Sequence, residues 1–183
     1  IDAIIDMFAR LQLADGYVNS WFIRMQPERR WTNLRDFHEL YCAGHLMEAA
    51  VAYFHATGKR TLLDVMCRYA DHIIGQFGPE PGKRKGYCGH EEIELALVKL
   101  ARVTGERRYL DQTRYFIDER GKKPRYFELE AQERGEPPEA FAHRTPDYNQ
   151  SHVPVREQTK VVGHAVRAMY LYSAMADLVT EFG

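Results

Sequence analysis

Apolar residues recur every three or four positions along most of the chain, which is the spacing of one face of an α-helix. No alternating apolar pattern longer than four residues indicates a β-strand. The pattern therefore predicts an all-α fold. The helical stripes run through residues 1–8, 46–54, 62–73, 93–101, 109–117 and 166–174.

Two pairs of these stripes are joined by near-identical turns. Thr57-Gly58-Lys59-Arg60 separates the stripes of one pair, and Thr104-Gly105-Glu106-Arg107 separates those of the next, at an offset of 47 residues. A glycine just past a helix end supplies the left-handed residue that stops the helix. Two-helix repeats of this size predict stacked helical hairpins.

We interpret the chain as one partial domain, residues 1–183, that is incomplete at both ends. The first stripe has no partner before it, and the last hairpin stops after its first helix. A segment rich in Pro, Glu and Arg, residues 121–155, is expected to be an insertion and a mostly irregular loop. A second polar and aromatic loop is expected over residues 14–36.

A Gly-His pair stands just ahead of three stripes. We expect each pair to mark the start of an inner helix of a ring, so that the imidazoles converge on one cavity near positive helix N-termini. Neutral imidazoles donate and accept hydrogen bonds, which suits sugar hydroxyls. A purely structural role for each histidine is the alternative. The candidate substrate-binding residues are His45, His90 and His164, with His152 as a fourth in the turn before the last helix.

The other chemical candidates have simpler explanations. Glu91, Glu92 and Glu94 crowd the first turn of a helix, where the helix dipole stabilises carboxylates. The histidine trio shows no HxH or HxxxH spacing, so it is not assigned to a metal, and no catalytic residue is assigned. The remaining histidines are expected to be structural or exposed on helical faces, or to lie in the insertion: His38, His55, His72 and His143.

The composition indicates which classes of binding partner are expected. The chain carries 25 basic and 26 acidic residues with a net charge of −1, so no basic excess favours nucleic acid. No apolar run is long enough to span a bilayer. Cys42, Cys67 and Cys88 are too few and too widely spaced for a disulfide framework or a CxxC zinc ribbon, and they favour a cytoplasmic location. A small sugar or glycan is the expected ligand, and no oligomeric state is predicted.

Longer patterns surround the Gly-His pairs. They are GHLMEAAV at 44–51, GYCGHEEIELAL at 86–97, PVREQT at 154–159 and GHAVRA at 163–168. Together they resemble glycoside hydrolase family 127, the β-L-arabinofuranosidase family, and the resemblance runs through nearly the whole chain. It implies the N-terminal half of an (α/α)6 barrel, in a retaining glycoside hydrolase that removes terminal L-arabinofuranosyl or related sugars.

The resemblance also implies which functional residues lie in this stretch and which lie elsewhere in the complete enzyme. In this family the nucleophile is a cysteine held by zinc, and a glutamate acts as acid/base. No cysteine here stands in the family's ExC or CC motifs, so zinc is implied for the complete enzyme with no ligand in this stretch. The family's sugar-contacting histidines match His45, His90 and His164. The stretch is thus expected to bind sugar and to be inactive alone.

Two alternatives remain open. Another six-hairpin sugar enzyme, such as a 2-epimerase or an unsaturated uronyl hydrolase, uses His or Asp on inner helices without zinc. A non-catalytic helical-repeat scaffold that binds a protein is the other. The scaffold is favoured if the three histidines are scattered over the outer surface.

Overall fold

The computed structural model describes residues 1–138 and 145–183. These residues contain eight α-helices, three short 3-10 helices and no β-strand, which confirms the all-α prediction. The α-helices are α1 (Asp2–Leu11), α2 (Ser20–Met25), α3 (Glu39–Thr57), α4 (Thr61–Gln76), α5 (Ile93–Thr104), α6 (Arg107–Glu119), α7 (Tyr126–Glu133) and α8 (Ala165–Phe182). The 3-10 helices are Pro27–Arg29, Pro146–Asn149 and Val155–Glu157.

The two predicted hairpins are α3–α4 and α5–α6. Gly58 follows α3 with φ of +70°, and Gly105 follows α5 with φ of +77°. Both lie in the left-handed region that side chains rarely adopt, and each backbone N–H bonds back into the helix it ends. The repeated turn is therefore a pair of glycine-terminated helix ends.

The helices are arranged in two layers. In the inner layer, α5 packs between α3 and α8, and in the outer layer α4 packs between α1 and α6. In the hairpins α3–α4 and α5–α6, the inner helix also packs on the outer helix. This is the stacking of helical hairpins found in an (α/α)6 toroid, of which the chain forms a part.

The loop before α3 is held by a buried carboxylate. Glu39 is buried, and it accepts hydrogen bonds from the Tyr17 hydroxyl at 2.6 Å and from the Trp31 backbone N–H at 2.8 Å. Tyr17 in turn packs edge-on against Trp31 and Tyr69. These contacts fix the path of the loop that leads into α3.

Two segments that were expected to be loops contain short helices. Helix α2 lies within residues 14–36, and α7 lies within residues 121–155. Helices of six and eight residues leave no extended apolar stripe, so periodicity does not reveal them. His143 lies outside the described residues, and the assignment of 121–155 as an insertion stays a prediction.

No helix in the described part of the chain combines the length and the apolar character needed to cross a membrane.

Candidate functional site

The three predicted histidines share one aromatic cluster at an end of the inner layer. We define the histidine cluster as His38, Tyr41, His45, His90, His164 and Tyr170. The Tyr41 ring lies 4.2 Å from the His90 ring and 4.4 Å from the His45 ring, between centroids. The His90 ring lies 6.2 Å from that of His164. The scaffold alternative requires the three histidines to be scattered over the outer surface. The structure instead brings them together.

The histidines reach this cluster from different local structures, which corrects the expectation that each starts an inner helix. His164 is the residue that precedes α8, and His90 lies in the loop before α5. His45 instead lies inside α3, which already begins at Glu39. Helix packing, rather than a shared position at a helix start, brings the imidazoles together.

The glycine of each pair allows another segment of the chain to approach closely. A Cβ on Gly89 would lie 2.3 Å from the Leu34 carbonyl oxygen, and one on Gly44 would lie 2.7 Å from Glu92 Cγ. A Cβ on Gly163 would lie 1.9 Å from the Asp147 carbonyl oxygen. Each glycine thus seats its neighbouring histidine against another segment of the chain.

Two imidazoles in the cluster are held in their neutral form. Burial, followed by the nearby positive charge of Arg167, lowers the pKa of His90 to about 4. The same causes lower the pKa of His38. A neutral imidazole has one donor and one acceptor nitrogen. A sugar hydroxyl also donates and accepts, so it can form a hydrogen bond with either nitrogen.

A buried ion cluster fixes the loop that carries His90. The fully buried guanidinium of Arg120 lies 2.8 Å from Glu91 and 3.0 Å from Glu94. It also donates to the backbone carbonyls of Cys88 and Asn149. Burial raises the pKa of Glu91 to about 8 although Arg120 opposes the shift. Glu91 and Glu94 therefore serve as internal partners of Arg120, beyond any stabilisation by the helix dipole.

A second group of charges surrounds His45. Its Nδ1 lies 3.3 Å from Glu92 Oε1 and 3.9 Å from Glu48 Oε2, and Lys99 contacts Glu48. Among the described residues, His45, Glu48 and Glu92 are the set of ligand-type side chains close enough to hold a metal ion together. The set contains no cysteine.

The cysteines do not complete a zinc site. Cys42 is exposed, Cys67 is half-buried and Cys88 is buried. Burial raises the pKa of all three thiols. Among the described residues, none of the three belongs to a group of ligand-type side chains close enough to share a metal ion. The described residues thus do not fit a cysteine-zinc centre.

His152 lies apart from the histidine cluster. Its Nδ1 is 3.5 Å from the Asp147 carboxylate, and its backbone carbonyl accepts a hydrogen bond from Arg125. The neighbouring Tyr148 ring, in contrast, lies 5.3 Å from the His164 ring. His152 therefore belongs to the segment that borders the cluster, and its contact with substrate stays a prediction.

An open groove of about 620 Å³ adjoins the cluster. His38 and His45 line it together with aromatic residues from the first two helices and the following loop. Trp21 remains 56% exposed there. The groove gives a ligand from solvent access to His38 and His45.

Sequence reasoning missed several members of the site. His38 was expected to be structural or exposed, yet its ring lies 5.6 Å from that of His90. His38, Tyr41 and His45 stand at positions i, i+3 and i+7, a spacing that places them on one helix face. That spacing was a usable signal. Tyr170 gave none, because its contacts with His45 and His90 join segments that are far apart in the sequence.

Comparison with known proteins shows the family of this chain. A family model of the β-L-arabinofuranosidase GH127 catalytic domain matches residues 1–183. The chain belongs to this family. A curated relative, the non-reducing end β-L-arabinofuranosidase of Bifidobacterium longum subsp. longum, is 40% identical over 187 residues. That match covers 97% of this chain and 28% of the relative.

Solved GH127 structures have the same fold. A crystal structure of a GH127 β-L-arabinofuranosidase from Geobacillus stearothermophilus T6 matches with a TM-score of 0.96 at 54% identity. A solved GH127 β-arabinofuranosidase matches with a TM-score of 0.83 at 37% identity. These matches cover 100% and 99% of this chain but 29% and 27% of the neighbours. The chain spans less than a third of the length of these relatives.

Proposed function

We propose that this chain is the sugar-binding part of a retaining GH127 glycoside hydrolase that removes terminal L-arabinofuranosyl or related residues. One observation carries the proposal: histidines from three separate segments line one cluster beside an open groove. The family membership of the chain and the names of its relatives supply the sugar.

The proposed roles follow from the chemistry of the side chains. His45, His90 and His164 form hydrogen bonds with the hydroxyls of one bound sugar, and His152 borders that sugar. The aromatic rings of Tyr41 and Tyr170 pack between the imidazoles and limit their rotation. The stretch binds and orients the substrate and contributes no nucleophile or general acid.

The remaining features of the proposal rest on the family resemblance or on composition. The zinc ion and the cysteine nucleophile belong to residues outside this stretch, because the cysteines present do not fit them. The partner is a small sugar or the end of a glycan. A cytoplasmic location stays a prediction that rests on the cysteines alone.

The proposal is tested in a full-length chain that carries this stretch. His45→Phe, His90→Phe and His164→Phe are each assayed on an aryl β-L-arabinofuranoside, with His55→Phe, an exposed position on α3, as the matched control. Each lost hydrogen bond costs about 1 kcal/mol or more, or roughly a fivefold loss in kcat/KM. The control and the zinc content should not change.

Wild-type kinetics in all three variants would contradict the proposal. Loss of zinc in His90→Phe with unchanged helicity would show that His90 has a metal-related role instead.

A further inference from the structure

The contact between His45 and Glu92 is built into the packing of the inner layer. Glu92 directly precedes α5, and its side chain is fully buried. Gly44 on α3 leaves the space that this side chain fills, since a Cβ there would lie 2.7 Å from Glu92 Cγ. The 3.3 Å separation between Glu92 Oε1 and His45 Nδ1 is therefore set by two packed helices.

The carboxyl groups of Glu48 and Glu92 differ in the direction of their pKa shifts. Two carboxyl groups that share one space are not both ionised at low cost. Burial, followed by a hydrogen bond with Glu48, raises the pKa of Glu92 to about 9. Burial acts against ionisation of Glu48, but its bonds to Glu92 and Lys99 outweigh burial and lower its pKa. Near neutral pH, Glu92 is then a neutral acid that donates its proton to Glu48, and Lys99 neutralises Glu48.

We propose that Glu92 is a positioning residue that fixes the tautomer of His45, with the proton on Nδ1 and a free lone pair on Nε2. The oxygens nearest to His45 Nδ1 are Glu92 Oε1 at 3.3 Å and Glu48 Oε2 at 3.9 Å. Only the Glu92 oxygen is within hydrogen-bond reach, and it accepts from Nδ1 when the acid proton of Glu92 lies on its other oxygen. The ring nitrogen that is hydrogen-bonded to an acceptor carries the proton, and this sets the role of the other nitrogen. Nε2 is then the unprotonated ring nitrogen, and it accepts a hydrogen bond from a hydroxyl of the bound sugar. The last step rests on the proposed function.

His90 provides an internal reference for this mechanism. Its Nδ1 lies 3.2 Å from the backbone carbonyl of Glu91, which is also an acceptor. The same tautomer is therefore set at His90 by the backbone and at His45 by a side chain. A substitution at Glu92 should change the tautomer of His45 and leave that of His90 unchanged.

Two substitutions separate a neutral acid from an ionised ligand. In Glu92→Gln, the amide NH₂ can donate to Glu48 while its carbonyl accepts from His45, so Gln reproduces the neutral acid. Glu92→Leu fills much of the same space but removes the acceptor. We expect Glu92→Gln to retain the Nδ1–H form of His45 and Glu92→Leu to populate the Nε2–H form.

The experiment uses a full-length chain labelled with nitrogen-15 histidine, with the His45 signal assigned from His45→Phe. Nitrogen-15 NMR reports which ring nitrogen of His45 is protonated, and unchanged His90 signals show that the cluster remains folded. In parallel, kinetics on an aryl β-L-arabinofuranoside should show KM raised at least several-fold in Glu92→Leu, with a smaller effect on kcat, and near-normal KM in Glu92→Gln.

An Nδ1–H His45 in Glu92→Leu would overturn the inference, as would a loss in Glu92→Gln equal to that in Glu92→Leu. A changed tautomer with unchanged KM would support the assignment of Glu92. That result would contradict the sugar-binding role of His45 in the proposed function.

Discussion

The glycines that end the inner helices and those that precede the site histidines differ in their surroundings. Gly58 and Gly105 have positive φ, and a Cβ added to either would meet no atom within 4 Å. A Cβ on Gly44, Gly89 or Gly163 would lie within 3 Å of another segment. The first set is needed for backbone conformation alone. The second is needed for space, and Gly163 also has a positive φ of +77°.

This difference distinguishes the repeated helical hairpins from the histidine site. A glycine in open space can be placed from sequence, because it follows an apolar stripe and precedes the next one. A crowded glycine depends on which segment approaches it, and that segment is distant along the chain: Leu34 for Gly89 and Glu92 for Gly44. The site is thus made by close contacts between hairpins and the loops that connect them.

The strongest test of this difference is to add a methyl group to one glycine of each kind. Gly89→Ala should lower the free energy of unfolding by about 3 kcal/mol, because its Cβ would overlap the carbonyls of Leu34 and Arg35. Gly58→Ala should cost only about 1 kcal/mol, the strain of a left-handed alanine. Chemical denaturation of both variants in a full-length chain measures the difference. Equal costs would show that crowding at Gly89 is relieved by small shifts.

A smaller effect is expected for two glycines inside helices. Gly75 in α4 has nothing within 4 Å of an added Cβ, so Gly75→Ala should stabilise the protein by about 0.5–1 kcal/mol. Gly44→Ala gains the same helix propensity but collides with Glu92, and it should be net destabilising by about 1–2 kcal/mol. Thermal unfolding of the two variants gives opposite signs. A stabilised Gly44→Ala would contradict the close packing of α3 against Glu92.

A pH dependence is expected at His90, and its size is reduced because the side chain is partly exposed to solvent. Its folded pKa of about 4 lies below the ordinary value of 6.5, with burial as the first cause. Between these values the unfolded chain binds a proton that the folded chain does not, so the free energy of unfolding falls as pH drops from 6.5 to 4. His90→Gln should show a weaker fall, measured by urea unfolding across that range. An equal fall in both proteins would place the titrating group elsewhere.

The helical hairpins could be predicted from sequence because the residues that indicate each helix lie within that helix or directly after it. Long apolar stripes and glycine turns indicate α3 to α6, and the same periodicity indicates α1 and α8. Helices α2 and α7 are too short to show a period. The start of α3 was placed too late, because Glu39 gives a polar signal although tertiary contacts with Tyr17 and Trp31 bury it.

The site could be predicted only in outline. The repeated Gly-His pairs singled out His45, His90 and His164, which do share a cluster, but the reason given for their convergence was wrong for His45. The roles of Glu92 and Arg120 depend on burial and on partners far away in sequence. A glutamate at a helix start looks the same in sequence whether it faces solvent or a buried histidine.

The central claim is that one sugar binds to histidines from three segments. A crystal structure of a full-length chain that carries this stretch, with L-arabinose bound, tests it most directly. The account predicts sugar hydroxyls within hydrogen-bond distance of His45, His90 and His164, with His45 contributing Nε2. A sugar bound in the groove beside Trp21, without contact to any of the three imidazoles, would contradict it.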